Sequence, residues 1–293
     1  MPIMRTTLGT PGVDGLADVA GVLRDWQDDT SPLQLHPGDL GWFWRFGAEA
    51  TAAAVRVWGR GGAIAAVGLL DGPELLRLTV APEMWRDAEL ARQVAADAAH
   101  PERGILPAGT VSVETPTGTA VQEAFSEVGW ATGESWTPLT RDLTDPVPDP
   151  GVRVEIVRPA TVADFTAVHR SAFGSGRFTD DRWRAMSTGV PFADARCLLL
   201  YDGHGAAVAG VTVWSAGAGR PGLIEPLGVH ADHHGHGHGR AACLAAASAL
   251  RELGGSSVQV CTPTARTAAV ATYRSAGFRR LPERLDRTRA DRG

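Results

Sequence analysis

The sequence predicts a mixed α/β (α+β) chain of two tandem copies, each a largely antiparallel central sheet flanked by helices. Three observations carry this. A proline-rich break, Thr144-Asp-Pro-Val-Pro-Asp-Pro-Gly151, falls almost at the midpoint of the 293 residues. The same order of strand- and helix-patterned segments recurs on either side of it. Each side also carries a hairpin pattern, which an all-parallel sheet would not need. Three prolines in five residues cannot continue a helix or a central strand. Residues 144–151 therefore read as a linker between a domain over 1–143 and one over 152–293.

In the first half, residues 54–58 and 63–70 flank Gly59-Arg-Gly-Gly62 as a hairpin. Residues 76–80 then read as a strand, 89–99 as a helix, 111–114 as a short strand and 119–128 as a helix stopped by Gly129, with Trp130 beyond. In the second half, residues 197–201 and 206–214 form a hairpin around Asp202-Gly-His-Gly205. A strand over 223–229 leads through a Gly/His loop to an Ala-rich helix over 240–253, closed by Gly254-Gly255. A strand over 257–262 and a helix over 264–276 follow, the helix stopped by Gly277 with Phe278 beyond. Val229 precedes Tyr273 by 44 residues and Val80 precedes Phe125 by 45; both aromatics stand four residues before a Gly-aromatic pair. The shared order and spacing point to a duplication. The tail 279–293, with six Arg against three acids, reads as a frayed, solvated end.

Composition narrows the function classes. With 44% hydrophobic and 21% charged residues and nine Trp, each half can bury a core, unlike a disordered chain. A formal charge of −5 argues against a dedicated nucleic-acid binder. No apolar run approaches the ~18 residues of a membrane span. The start, Met-Pro-Ile-Met-Arg, lacks the regions of a signal peptide. Cys197, Cys243 and Cys261 form no CxxC pair and cannot all be paired, so a reduced, cytoplasmic chain is expected. All 28 basic residues are Arg, and the chain has neither Lys nor Asn, a bias that fits a high-GC bacterial genome.

The most informative stretch is Val229-His-Ala-Asp-His-His-Gly-His-Gly-His-Gly-Arg240. Gly235, Gly237 and Gly239 alternate between a strand and a helix, where glycine lets a ligand approach the backbone. Exposed N–H groups at a helix start form an anion site without any lysine. An ordinary flexible connection has the same appearance, so the loop alone is weak evidence. Five of the nine histidines fall here: His230, His233, His234, His236 and His238. Alternating His and Gly offers no closed tetrahedral set, and no Cys or carboxylate stands at finger spacing, so no metal is expected.

Together these features resemble the GNAT acetyltransferase superfamily, whose signature is Arg/Gln-x-x-Gly-x-Gly/Ala after the fourth strand. Here the pattern runs His234-Gly235-His236-Gly237-His238-Gly239 after Val229-His230-Ala231. The family's second motif, Asn-x-x-Ala-x-x-x-Tyr-x-x-x-Gly-Phe, stands as Arg266-Thr-Ala-Ala269-Val-Ala-Thr-Tyr273-Arg-Ser-Ala-Gly277-Phe278. Arg158-Pro-Ala-Thr-Val-Ala-Asp-Phe165 is similar to its first strand leading into its first helix, and the likeness covers roughly residues 152–280. His234, Ala231 and Arg266 depart from the pattern; the glycines and the tyrosine do not.

The resemblance implies acetyl-CoA as donor and no metal. It places the pyrophosphate on the backbone of His234, Gly235, His236, Gly237, His238, Gly239 and Arg240, and the pantetheine arm along the strand through Leu227 to Val229. A primary amine of a small molecule would attack the thioester directly, with the oxyanion on the backbone N–H of Leu227 or Gly228. Tyr273 takes the family's place for the acid that protonates the leaving thiolate, and Glu225 the place of a base. His230, Asp232 and His169 are weaker base candidates. Ser171 to Phe178, with Asp180 and Asp181, falls where the family forms its acceptor-facing helix and loop, so a cationic amine is one reading of those acids and a solvated loop another.

The first copy reads as degenerate. Its loop, Glu83-Met-Trp-Arg-Asp-Ala-Glu-Leu90, has no glycine, and Phe125 replaces the tyrosine. It is expected to serve packing or to shape the acceptor pocket. The two-copy layout is similar to mycothiol synthase, which gives one alternative. Another is a non-catalytic acyl-CoA-binding sensor or scaffold. No nucleic acid or membrane partner is expected, and the chain would be a monomer or homodimer.

Overall fold

The computed structural model describes residues 5–290. The first four residues, on which the signal-peptide reading rests, and the last three of the tail lie outside them. The first half runs β1 (Thr7–Gly9), α1 (Leu16–Asp25), α2 (Pro37–Phe43), α3 (Ala48–Ala54), β2 (Val55–Arg60), β3 (Ala63–Leu70), β4 (Leu75–Val80), α4 (Ala88–Ala99), β5 (Val111–Glu114), α5 (Ala120–Glu127) and β6 (Ala131–Asp142). The second runs β7 (Arg153–Ile156), α6 (Val162–Phe173), α7 (Asp180–Ser187), β8 (Ala195–Tyr201), β9 (Ala207–Trp214), β10 (Gly222–Val229), α8 (His238–Glu252), β11 (Ser257–Pro263), α9 (Thr267–Ser275), β12 (Arg279–Arg280) and β13 (Arg284–Arg289). Helices cover both faces of a mostly antiparallel sheet, in which β4–β5 and β10–β11 pair in parallel.

The strands form one sheet in the order β1-β2-β3-β4-β5-β13-β6-β11-β10-β9-β8-β7, with β12 beside β6. Each half thus lends its last long strand to the other. β6 lies antiparallel along all of β11, from Ser257 opposite Asp142 to Pro263 opposite Trp136. β13 inserts between β5 and β6. The tail expected to fray is therefore a strand over 284–289, with Arg284 only 2% exposed. Residues 144–151 carry no helix or strand.

α2 joins the halves most closely. Its first turn is capped by His36 and Asp39: the Gly38 N–H donates to His36 Nδ1 (2.9 Å), and the His36 N–H donates to Asp39 Oδ2 (2.6 Å). With Nδ1 accepting, His36 Nε2 carries the proton and donates to the Pro221 carbonyl of the second half (3.2 Å). A Cβ at Gly38 or Gly41 would come within 2.5 or 2.3 Å of the Trp214 ring, so only glycine admits this approach. Arg24–Asp194 and Arg220–Asp25 ion pairs flank the same junction.

Candidate active site

Glu225 and Pro226 form a bulge in β10. Ile224 pairs with Val213 and Leu227 with Val211, so two residues stand opposite Thr212 alone. Pro226 has no N–H to give the ladder, which explains a bulge at this point. The Trp214 Nε1–H donates to the freed Glu225 carbonyl at 2.7 Å. On its other side β10 pairs with β11 only at Gly222 and Leu223. Beyond Leu223 the two parallel strands separate, and a cleft of about 350 Å³ opens. Glu225, Leu227, Cys261, Arg266 and Tyr273 line it from the second half, and Gln34, Asp39, Asp71, Arg77, Glu114 and Trp136 from the first.

The polar wall of the cleft is a buried ion network. Arg77 Nη2 lies 2.7 Å from Asp39 Oδ1, its Nε 3.2 Å from Glu114 Oε2, and its Nη1 3.5 Å from Glu225 Oε1 and 3.6 Å from Asp71 Oδ2. Arg284 of β13 donates to Glu114 at 2.6 Å. Burial pushes the Glu225 carboxyl well above the usual carboxylate range; Arg77 pulls the other way, and Asp39 adds to the rise. Burial also presses Asp39 upward, but Arg77 and a hydrogen bond from Glu225 hold it low. Of the two, Glu225 is thus the weaker acid and, once ionised, the stronger proton acceptor. Arg77 keeps its charge, because four carboxylates outweigh the burial that disfavours it.

Tyr273, 8% exposed, reaches the cleft from α9. Burial and then the neighbouring Cys243, Glu225 and Cys261 raise its phenol, which stays protonated as a donor. The three cysteines are free, and burial pushes the Cys261 thiol up to about 12, leaving it inert.

The glycine loop lies past the other end of β10. Gly235 and Gly237 sit at φ +81° and +83° with open space where a Cβ would be, so their need is conformational. At Gly239 the need is steric: a Cβ would meet Thr272 of α9 at 2.9 Å. Gly237 caps α8 and offers no side-chain acceptor, so the first N–H groups of His238, Gly239 and Arg240 are left for another partner. His234 is exposed, its Nε2 donating to the Val229 carbonyl at 3.0 Å, and Arg240 Nε donates to the Ser275 carbonyl. His233, His236 and His238 gather with ring centroids 6.1 and 6.2 Å apart; among the described residues no three His, Cys, Asp or Glu converge as metal ligands.

The equivalent place in the first half is filled. The Asp87 carboxylate caps α4, accepting from the Leu90 N–H at 2.8 Å, and pairs with Arg60. An anion would meet this carboxylate at the helix start. Phe125, where the second half has Tyr273, is fully buried against Trp130.

The weaker base candidates lie elsewhere. His169 sits among Trp42, Phe173 and Phe178 with both ring nitrogens buried and without hydrogen-bond partners; burial, then Arg45 and Arg170, lowers it to about 4. His230 and Asp232 stand 3.9 Å apart beyond the end of β10, outside the cleft lining. Asp180 accepts from Thr166 and Asp181 pairs with Arg184, so neither faces the cleft; its carboxylates come from the first half and β10 instead. Sequence reasoning missed Asp39, Asp71, Arg77 and Glu114. Arg77, a lone charge inside the apolar run Leu75-Leu-Arg-Leu-Thr-Val80, was the available signal.

Residues 161–278 match the acetyltransferase (GNAT) family. No curated protein matches the chain. Among solved structures, a GCN5-related N-acetyltransferase from Sphaerobacter thermophilus is similar with a TM-score of 0.60 at 19% identity, over 98% of this chain and 96% of that one. A tandem GNAT protein from the clavulanic acid biosynthesis pathway gives 0.60 at 17%, over 97% and 98%. A GNAT-family acetyltransferase from Colwellia psychrerythraea gives 0.57 at 13%, over 97% and 98%. At these identities the likeness is one of fold, and it spans both halves. No helix among the described residues is long and apolar enough to cross a membrane.

Proposed function

We propose that the chain is an acetyl-CoA-dependent N-acetyltransferase of the GNAT type acting on a primary amine of a small molecule: residues 161–278 match that family, and the whole chain is similar in fold to a tandem GNAT protein. The observation that carries the reading is the 350 Å³ cleft where β10 and β11 part, with Glu225 and Tyr273 in its lining and the uncapped start of α8 past the end of β10. The donor's pyrophosphate takes the N–H groups at the start of α8, and its pantetheine arm completes the open edge of β10. An incoming ammonium loses its proton to Glu225, directly or through water. The free amine then attacks the thioester carbonyl, and the developing oxyanion is held by the Leu227 or Gly228 N–H. Collapse breaks the C–S bond, Tyr273 gives its proton to the thiolate, and the surplus proton on the new amide nitrogen returns through water to the phenolate. The first half, with no donor site of its own, supplies the opposite wall of the acceptor cleft. We place the enzyme in the cytoplasm, as a monomer or homodimer.

A steady-state thiol-release assay over an amine panel tests the roles. Glu225→Gln and Tyr273→Phe are each expected to lower kcat by about 10²-fold or more while leaving donor affinity within a few-fold. Wild-type turnover by both variants on a true substrate would remove the assigned roles.

A further inference from the structure

Arg77 stands in the first half where the base stands in the second. β4 pairs with β3 as β10 pairs with β9: Val80 faces Ala66, and Val229 faces Ala209. Three residues further along the partner strands, Leu69 faces Arg77, and Thr212 faces the bulge of Glu225 and Pro226. From this position the guanidinium does not serve its own copy. It crosses the junction to Glu225, clamped from behind by Asp39 of α2 and by Glu114 of β5, which Arg284 of β13 fixes in turn.

We propose that Arg77 is a positioning residue for acyl transfer, holding the Glu225 carboxyl at the cleft and maintaining it as a proton acceptor. This rests on the reading of Glu225 as the base. Five charged or titratable groups bear on Glu225: Arg77 from β4, Asp39 from α2, Asp71 from the β3–β4 turn, Arg45 from the turn after α2, and Tyr273 from α9. Two carboxylates and burial oppose its ionisation, and Arg77 is, among the described residues, the guanidinium in ion-pair reach of it. Without Arg77, Glu225 would keep its proton to higher pH and lose the partner that fixes its rotamer. A merely structural Arg77 would affect folding but not the pH at which the base titrates. The first half thus sets an arginine at the position equivalent to the base, and that arginine reaches the base of the second half.

The test is the pH profile of kcat/KM in the full chain, at saturating donor, for wild type, Arg77→Lys, Arg77→Met and Glu225→Gln, with melting midpoints beside it. Arg77→Met is expected to move the rising limb up by about one pH unit or more, with activity partly recovered at high pH. Arg77→Lys, which keeps the charge but not the fork, should lie between it and wild type. Loss of the limb in Glu225→Gln with no shift in Arg77→Met would overturn the role of Arg77 alone. Retention of the limb in Glu225→Gln would overturn the base and, with it, this proposal. If Arg77→Met does not fold, Arg77→Lys decides: a limb coincident with wild type at reduced kcat/KM overturns the proposal.

Discussion

At His36 a single imidazole serves two halves of the molecule, accepting from Gly38 and donating to Pro221. Both bonds require the neutral ring, and burial lowers its pKa to about 4, against the opposing pull of Asp39 and the Pro221 carbonyl. The unfolded chain takes up this proton near pH 6.5, the folded chain only near 4. Its contribution to stability is therefore complete above pH 6.5 and lost as pH falls toward 4, at up to about 1.4 kcal/mol per pH unit. Glu225, raised on folding, works in the opposite sense, so the His36 effect is read as a difference between variants. Urea midpoints at pH 7.5 and 5.0 should fall less in His36→Asn than in wild type; equal losses would contradict the assignment. The residue scale is also where the sequence was most informative. Gly237, Gly277 and Tyr273 carry their chemistry in residue type and spacing, whereas Asp39 and Arg77 acquire theirs only when distant elements meet.

Among the elements, α2 shows why some of the fold was illegible. Two glycines in the short helix Pro37–Phe43 cost about 1 kcal/mol each, so local propensity does not favour it. The helix exists because His36 and Asp39 cap it and because the glycines seat it on Trp214. By contrast, the β2–β3 and β8–β9 hairpins and the α4 and α8 helices follow from local pattern, and the structure has them within a few residues of expectation. α2 also delivers Asp39 to Glu225, so its seat matters to turnover. Gly41→Ala puts a methyl against Trp214 and is expected to cost about 1–3 kcal/mol and to lower kcat more than donor affinity. Thermal unfolding with donor titration checks this; unchanged melting and turnover would show that the helix shifts freely.

Over the whole molecule, duplication was legible in the repeated spacing, but the exchange of strands was not. β5 and β13 are some 175 residues apart in sequence, and alternation within Arg284-Leu-Asp-Arg-Thr-Arg289 names no partner. The exchange ties the two copies into one sheet, and the first half lines the cleft with Asp39, Arg77 and Glu114. The helix starts differ between the halves: α4 is closed by Asp87, and α8 is open behind Gly237. One donor site is expected for each chain, at α8. Calorimetric titration with acetyl-CoA of the full chain and of Gly237→Asp, which sets an acid where α4 already has one, tests it most directly. One molecule bound by each wild-type chain is expected, with affinity lost by at least about tenfold in Gly237→Asp and a lowered melting point because position 237 sits at φ +83°; two molecules bound, or one bound with undiminished affinity by the folded variant, would contradict this.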